Sequence, residues 1–307
     1  MHKISTISKK DFPSLLREIP DSPELLYIQG AKIDEQRKHL AVVGSRANTQ
    51  YGREVCETLI ASLSKYPVTI VSGLALGIDG IAHRCAIQNN IPTIAIPGSG
   101  LDPQVLYPRS HLRLSEEILE SGGTLLSEFE PTFRATPWSF PQRNRIMAGI
   151  SQAILVIEAS KQSGTLITAK YASDYNRDVL VVPGNIFNKT SEGPHLFMKI
   201  GATPITCEND LIEALGFKPN QKEIPFEEKY ADCSTEEMII VNILTEPIEK
   251  DELLRALKMP IHKSQSILSM MEIKGLIKEI GGEVYLLCEI CNIISDTLLA
   301  FELASSH

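Results

Sequence analysis

The stretch 140–165, FPQRNRIMAGISQAILVIEASKQSGT, holds the residues of this sequence that are best suited to binding phosphate groups. From 131 to 157 there is no Asp or Glu, and the charged residues are Arg134, Arg143 and Arg145. Phe140 and the single tryptophan, Trp138, lie beside these arginines. Guanidinium groups next to flat aromatic rings can hold phosphates and stack bases. The alternative is that the aromatic residues are core residues and the arginines pair with carboxylates elsewhere.

Turns of small residues follow five apolar runs. They are Gly44-Ser45-Arg46, Ser72-Gly73, Pro97-Gly98-Ser99-Gly100, Ser163-Gly164-Thr165 and Pro183-Gly184-Asn185. At the carboxyl ends of parallel strands such turns leave room for a ligand, and each following helix start offers N–H groups to an anion. Several in a row suit an extended polyanion. The glycines could instead serve only tight turns, but that leaves Arg46 and the two arginines near 144 unexplained.

The apolar pattern between residues 40 and 216 predicts the strands and helices that position these turns. Short, unalternating, β-branched runs are typical of strands buried on both faces. They lie at 40–44, 68–72, 93–97, 124–128, 153–158 and 179–183. Helical stretches lie between them, at 51–65, 78–89, 112–120, 142–149 and 165–175. This alternation predicts an α/β domain, a Rossmann-like doubly wound and mostly parallel sheet, over residues 40–216.

The rest of the chain divides into four segments. Residues 1–39 indicate a short N-terminal cap with a short strand, and 217–233 indicate a polar linker. Residues 234–287 predict three helices and a hairpin, which is the pattern of a small winged-helix domain. Ser234 and Glu237 have the spacing of a capping box at its first helix. Residues 288–307 form a tail, in which Cys288 and Cys291 are half of a zinc signature, so we predict no metal.

Charge is unevenly distributed along the chain. The net charge of −8 comprises +1 in residues 1–39, −2 in 40–216 and −7 in 217–307. A local basic groove in the middle domain is therefore compatible with the overall sign, because screening limits charge interactions to roughly 10 Å. The acidic C-terminal region favours protein contacts over duplex DNA.

Location is inferred from what the sequence lacks. No apolar run reaches about 18 residues, so we expect no membrane partner. The first residues have no apolar leader, and the six cysteines are scattered. These features predict a cytoplasmic protein.

Patterns for known catalytic sites are absent. The chain has no G-x-G-x-x-G after its first strand, no G-x-x-x-x-G-K-[ST] loop and no G-x-S-x-G elbow. Asp79 and His83, four apart on a predicted helix, could form an acid–base pair, but a helix cap and a core histidine are favoured. Glu128 and Glu158 end strands and are interpreted as partners of arginine or backbone N–H groups. We therefore predict no catalytic residues and no cofactor.

Residues 40–216 resemble the DNA-processing protein A family (DprA, also called Smf). The resemblance rests on VGSR (43–46), SGLALGID..AH (72–83), PGSGLD…YP (97–108), LLSEF (125–129), FPQRNRIMAGIS (140–151), VIEAS..SGTLITA (156–169), VPGN (182–185) and GA (201–202). It implies a homodimer, not an enzyme, that binds single-stranded DNA without sequence preference. It also implies that the protein protects incoming DNA in natural transformation (competence) and loads the RecA recombinase for DNA recombination. By position it implies DNA contacts at Arg46, at Arg143-Asn144-Arg145, at Ser163 to Thr165 and at Lys170.

Together with the turns, these residues form the predicted DNA-binding set. It comprises Gly44, Ser45, Arg46, Ser72, Gly73, Gly98, Gly100, Phe140, Arg143, Asn144, Arg145, Ser163, Gly164, Thr165 and Lys170. Two other functions stay open. A nucleotide-processing hydrolase of the phosphoribohydrolase-like Rossmann group needs a catalytic Glu beside its glycine loop, which neither PGSGLD nor SGTLIT has. A duplex-binding transcription factor would act through the winged helix and is disfavoured by the acidic charge there.

Overall fold

A computed structural model describes residues 3–161, 163–219, 230, 233–244, 248–257, 259–274, 276–280 and 282–286. The chain divides into two compact units, Met1–Asn220 and Gln221–His307.

A nine-stranded sheet forms the centre of the first unit. Its strands are β1 Ser5–Ser8, β2 Leu25–Gly30, β3 Lys38–Val43, β4 Val68–Ser72, β5 Thr93–Ala95, β6 Thr124–Ser127, β7 Ala153–Val156, β8 Asp178–Val181 and β9 Thr203–Pro204. Their spatial order is β1-β2-β6-β5-β4-β3-β7-β8-β9. All neighbours from β6 to β9 are parallel, whereas β1 and β2 are antiparallel additions. The predicted α/β, mostly parallel, Rossmann-like fold is confirmed.

Helices cover both faces of this sheet. They are α1 Ser14–Glu18, α2 Gln50–Ser62, α3 Ile78–Gln88, α4 Leu112–Glu120, α5 Ser139–Ile150, α6 Thr165–Asp174, α7 Glu192–Met198 and α8 Glu208–Ala214. Strand β3 shows why the run 40–43 is apolar without alternation. Leu40 and Val42 pack into the cluster with α2, α3 and α8, while Ala41 and Val43 pack into the cluster with α1, α5 and α6. Alternate side chains of one strand thus enter two cores.

The order of the strands creates a switch point beside β3. From β3 the chain moves outward through β4, β5 and β6, and it then returns to place β7 on the other side of β3. The loops that follow β3 and β7 therefore leave the sheet edge in opposite directions. In open α/β sheets a ligand crevice lies outside the carboxyl ends of such strands.

Residues 1–39 are not a separate cap, and this differs from the sequence-based expectation. Strand β2 pairs with β6, with Tyr27 opposite Ser127, and β1 pairs with β2. Leu16 and Ile19 pack in the same core as α5. Backbone pairing and a shared core make this segment part of the main sheet.

The described residues of the second unit form three helices and a three-stranded sheet. Its elements are α9 Thr235–Ile243, β10 Ile248–Glu249, α10 Lys250–Ala256, α11 Ile261–Ile273, β11 Ile277–Ile280 and β12 Glu283–Leu286. The strand order is β10-β12-β11. The predicted capping box is present, because Ser234 accepts from the Glu237 amide and Glu237 accepts from the Ser234 amide. Strand β10 was not predicted, and assignment of this unit as a winged helix stays a prediction.

Other expectations concern residues outside this description. Most of the predicted linker 217–233 and all of the tail 288–307 lie there, including Cys288 and Cys291. Over the residues that are described, no helix is both long and apolar enough to cross a membrane. The same residues contain no group of three or more His, Cys, Asp or Glu side chains placed to hold a metal.

Candidate nucleic-acid interface

A cavity of about 490 Å³ lies at the switch point, outside the carboxyl ends of β3 and β7. We call it the Arg46 cavity. Predicted site residues from three distant parts of the chain line it: Gly44, Ser45, Arg46, Phe140, Arg143, Asn144, Ser163, Gly164 and Thr165. The fold therefore brings nine of the fifteen predicted residues to one place.

Arg46 is the exposed cation of this cavity. Its guanidinium carbon lies 5.3 Å from the centre of the Phe140 ring, which is cation–π geometry. The loop before α3 supports it from behind. Gly77 has φ +76°, and a Cβ there would overlap the Ser45 carbonyl oxygen. The Arg46 guanidinium is thus held at the mouth of the cavity by an aromatic ring and a tight backbone contact, where it can bind a phosphate.

Arg143 lies in the floor of the cavity instead. Its side chain is 5% exposed, donates from Nη1 to the Ile96 carbonyl and donates from Nε to Asn144 Oδ1 at 3.1 Å. Burial lowers the pKa of Arg143 to about 10, and the nearby Asp79 carboxylate opposes that shift. Arg143 therefore remains charged at neutral pH and contributes positive potential from a fixed position.

Internal carboxylates accept hydrogen bonds at one of the predicted turns and at the helix start that follows another. Asp79 Oδ2 accepts from the backbone N–H of Gly73 at 3.1 Å and of Ala75 at 3.3 Å. Glu158 Oε2 accepts from the Thr49 N–H at 2.9 Å, at the start of α2. At the turn after β4 and at the start of α2, the protein's own carboxylates therefore bind N–H groups that were expected to be free for a ligand.

The Ser-Gly-Thr turn forms the opposite wall. Ser163 Oγ accepts from the Thr165 N–H at 3.2 Å and donates to Thr165 Oγ1 at 2.9 Å. Thr165 Oγ1 in turn donates to the Gly44 carbonyl at 3.1 Å. These bonds join the start of α6 to the end of β3, so they fix the width of the cavity.

Arg145 is not brought to the cavity. It is 8% exposed, forms an ion pair with Glu128 and lies 3.6 Å from Asp21. Burial raises the pKa of Glu128, and the Arg145 charge opposes that change. The predicted role of Glu128 as a partner for arginine is confirmed.

The other five predicted residues also lie outside the cavity lining. Ser72 is buried and donates to the Val42 carbonyl at 2.6 Å. A Cβ at Gly98 would meet the Phe140 ring, and one at Gly100 would meet the backbone at 130–131. Gly73 lines a separate hollow, and Lys170 is exposed on α6. Gly98 and Gly100 thus permit close packing, and neither lines the Arg46 cavity or the hollow beside it.

His83 is the core histidine that was favoured, whereas the expectation that Asp79 caps the helix is wrong, because the N-cap of α3 is Gly77 and no side chain caps it. Thr93 Oγ1 donates its hydrogen to the Ile70 carbonyl, so His83 Nδ1, 2.8 Å from that oxygen, is the donor of the pair. Burial lowers the pKa of His83 to about 3. The imidazole is therefore neutral, and Asp79 makes its hydrogen bonds to backbone amides and not to this ring.

Several lining residues were not predicted. Thr168 and Ile167 line the Arg46 cavity, and Leu76 and Tyr107 line the hollow next to it. The spacing of Thr165 and Thr168 gave a signal, since residues three apart share one face of a helix. Tyr107 follows β5 by more than ten residues, so no local pattern places it beside Arg46.

Comparison with known proteins gives a consistent family match. Residues 3–216 match the sequence family described as DNA recombination-mediator protein A. The chain is 34% identical to Protein Smf of Escherichia coli K12, over 95% of this chain and 79% of that protein. It is similar to the crystal structure of DNA processing protein A (DprA) from Streptococcus pneumoniae, with 39% identity, a TM-score of 0.64 and coverage of 69% and 74% of the two chains.

A second solved structure bears on nucleic acid. It is DNA processing protein A from Helicobacter pylori, in work on that protein's single-stranded DNA binding mode. Identity is 29%, the TM-score is 0.61, and the match covers 69% of this chain and 95% of that one.

Proposed function

This chain belongs to the DNA recombination-mediator protein A family, and from that premise we propose that it binds single-stranded DNA, without sequence preference, at the Arg46 cavity. The observation that carries the proposal is the exposed Arg46 guanidinium at the switch point, with Arg143 buried behind it. Phosphates are the part of DNA that every sequence shares. A site built from guanidinium groups and small residues therefore suits binding that ignores sequence.

The biological role that we propose follows from this binding. The protein covers incoming single strands in the cytoplasm during natural transformation and loads the RecA recombinase onto them. It does so as a homodimer, which places two cavities on one strand and raises avidity without new contacts. The similarity to DNA processing proteins A and to Protein Smf supports this role. We propose in addition that the second unit is a winged helix that contacts protein.

We propose that the site binds and does not hydrolyse nucleotides. Among the described lining residues, Asp79 is the one carboxylate, and its Oδ2 already accepts two backbone N–H groups. A phosphoribohydrolase-like reaction would need a carboxylate free to act on the sugar. Incubation with nucleoside monophosphates should therefore release no free base, and release of base would support the hydrolase alternative.

The test of DNA binding is Arg46→Ala. We expect about a 10-fold weaker affinity for oligonucleotides of every composition, since a charge-assisted hydrogen bond contributes about 1.5–3 kcal/mol. The slope of log K against log salt should fall by about 0.7, the value for one lost contact to a single strand. Fluorescence anisotropy over a salt series measures both quantities.

The matched control is Arg53→Ala. Arg53 is also exposed and lies only in a surface pair with Glu57 at 3.6 Å. It should leave the affinity and the slope unchanged. If Arg46→Ala binds as tightly as the parent protein, or if Arg53→Ala weakens binding equally, the Arg46 cavity is not the site.

A further inference from the structure

A shallow hollow adjoins the Arg46 cavity, and its volume is only about 20 Å³. It is lined by Arg46, Gly73, Ala75, Leu76, Tyr107, Pro108 and Phe140. We propose that this hollow, which we call the Tyr107 hollow, is a base-stacking surface and that Tyr107 and Leu76 contact a DNA base there. The inference rests on the proposed function. It adds that the phosphate of a bound nucleotide lies on the cavity side of Arg46 and that its base lies on the hollow side.

Phe140, the aromatic residue expected to stack bases, is already surrounded. The Arg46 guanidinium lies 5.3 Å from its ring centre, and the Tyr107 ring centre lies 5.5 Å away at an angle of 57°. Gly98 packs so closely that a Cβ would overlap the Phe140 ring. Phe140 is therefore a support for its neighbours, and a base must find another surface.

Tyr107 and Leu76 provide that surface. Their side chains are 47% and 46% exposed, although both are large and apolar over most of their area. Single exposed apolar residues are common and need no explanation. Here two of them line one hollow next to an exposed cation, and the Tyr107 ring is held in place by Phe140. A supported, exposed aromatic ring beside a phosphate site is the arrangement that stacks bases in proteins that bind single strands.

Arg46 and Phe140 separate the two spaces. Both residues line the Arg46 cavity and the Tyr107 hollow, as does Ala75. A phosphate bound by the guanidinium on the cavity side thus has its own nucleotide within reach of the hollow. One nucleotide spans both spaces, with the phosphate on one side of Arg46 and the base on the other.

The chemistry of the hollow fits binding without sequence preference. Of its seven lining residues, all described, only Arg46 and Tyr107 have polar side-chain atoms. No amide or carboxylate is present to read the edge of a base. Stacking tolerates every base because every base has a π face.

The experiment compares two ligands of equal length, an oligothymidylate and an abasic oligonucleotide with the same phosphates. We expect Tyr107→Ala to bind oligothymidylate about 10-fold more weakly, within the range for loss of one stacked base. Its affinity for the abasic strand should equal that of the parent protein, which also shows that the variant is folded. Leu76→Ala should show a smaller loss, about 3-fold, on oligothymidylate alone. Tyr107→Phe keeps the ring and should bind both ligands as the parent does.

Tyr51→Ala is the matched control, because Tyr51 is also 47% exposed but lines neither space. It should bind both ligands normally. The inference is overturned if Tyr107→Ala keeps full affinity for oligothymidylate, loses affinity equally for both ligands, or is matched by Tyr51→Ala. Arg46→Ala separates the two proposals, since it should lower the affinity for both ligands. If the parent protein binds neither ligand, the proposed function fails together with this inference.

Discussion

Arg143 and Arg145 have different roles because of their spacing. Residues two apart on a helix point about 200° away from each other, given 3.6 residues per turn. On α5 this sends Arg143 into the cavity floor and Arg145 to Glu128 and Asp21. Both were predicted as DNA contacts although the predicted helix 142–149 already contained them. The helical spacing was therefore a signal in the sequence against treating the pair as one basic surface.

Glu128→Ala tests the structural role of Arg145. The two side chains are 8% and 10% exposed, so the change leaves an almost buried guanidinium with only Asp21 nearby. We expect the free energy of unfolding to fall by about 3 kcal/mol. DNA affinity of the folded variant should not change, because this pair lies away from the cavity. Urea denaturation and anisotropy measure the two quantities.

The comparison for this change is Glu117→Ala. Glu117 pairs with Arg113 at 3.0 Å, but Arg113 is 89% exposed. Exposed pairs of this kind contribute less than about 1 kcal/mol. Equal effects of the two substitutions on stability would contradict a buried structural pair. If Glu128→Ala lost DNA affinity but kept full stability, Arg145 would have to be counted among the DNA-binding residues.

At the scale of elements, the loop before α3 positions the loop after β3. The Ile78 N–H donates to the Ser45 carbonyl at 3.2 Å, and Gly77 packs on Ser45 and Arg46. Gly44 also packs tightly, since a Cβ added to it would lie 2.5 Å from Ile78 Cγ1. The location of Arg46 therefore depends on a backbone contact between two loops as well as on its own turn.

Gly77→Ala should reduce DNA binding without altering any proposed contact. With φ +76° and ψ −130°, Gly77 has a backbone conformation that other residues rarely adopt, at a cost of about 1–3 kcal/mol, and the new Cβ would overlap the backbone that holds Arg46. We expect lower stability and a DNA affinity about as weak as that of Arg46→Ala. Thermal unfolding and anisotropy provide the two measurements.

Gly122→Ala isolates the backbone effect. Gly122 has φ +82°, but no atom lies within 4 Å of the Cβ position. Stability should fall by about 1–2 kcal/mol, and DNA affinity should stay at the parent value. A Gly77→Ala variant that binds DNA normally would show that the loop contact does not position Arg46.

The elements show which parts of the fold the sequence could predict. Each of the six runs predicted between 40 and 216 is a strand, because β-branched residues buried on both faces leave a local signal. The order β5-β4-β3-β7 and the addition of β1 and β2 leave no such signal, since pairing depends on distant residues. Helices α7 and α8 and the two-residue β9 were also not predicted. They are short, with few turns over which a period could appear.

For the molecule as a whole, charge separates the two units. Residues 1–220 contain 22 basic and 22 acidic residues, whereas 221–307 contain 8 and 16. The entire net charge of −8 therefore belongs to the second unit. The unit with the candidate site is neutral, so its attraction for DNA depends on local placement and not on a long-range field.

A chain ending at Asn220 should bind DNA at least as tightly as the whole chain. Removing residues 221–307 removes repulsion between the acidic segment and phosphates, which matters most at low salt. We expect an equal or lower Kd at about 50 mM salt and no difference near 200 mM, where charges are screened over a shorter range. Anisotropy titrations of both chains check this. A large loss of affinity would instead place a DNA contact in the second unit.

The site was predictable only to the level of its segments. Residue types identified Arg46, Phe140 and Ser163 to Thr165, because phosphate and base chemistry restricts which side chains are useful. Tyr107 belongs to one of the motifs that carry the family resemblance, but it was not included in the predicted DNA-binding set, since its position beside Phe140 depends on the path of a long loop. Glu158 was expected to bond an arginine or a backbone N–H, but the Thr49 amide was not identified, and Asp79 was not assigned to the amides of Gly73 and Ala75, because packing decides which carboxylate reaches which amide.

Those two carboxylates help to explain how the loops around the cavity are held in place. Asp79 and Glu158 accept hydrogen bonds from amides of neighbouring loops. The loops around the Arg46 cavity are therefore held by bonds within the protein and do not depend on a ligand. Under the proposed function, a strand would bind to loops that are already ordered, so little conformational entropy would be lost on binding.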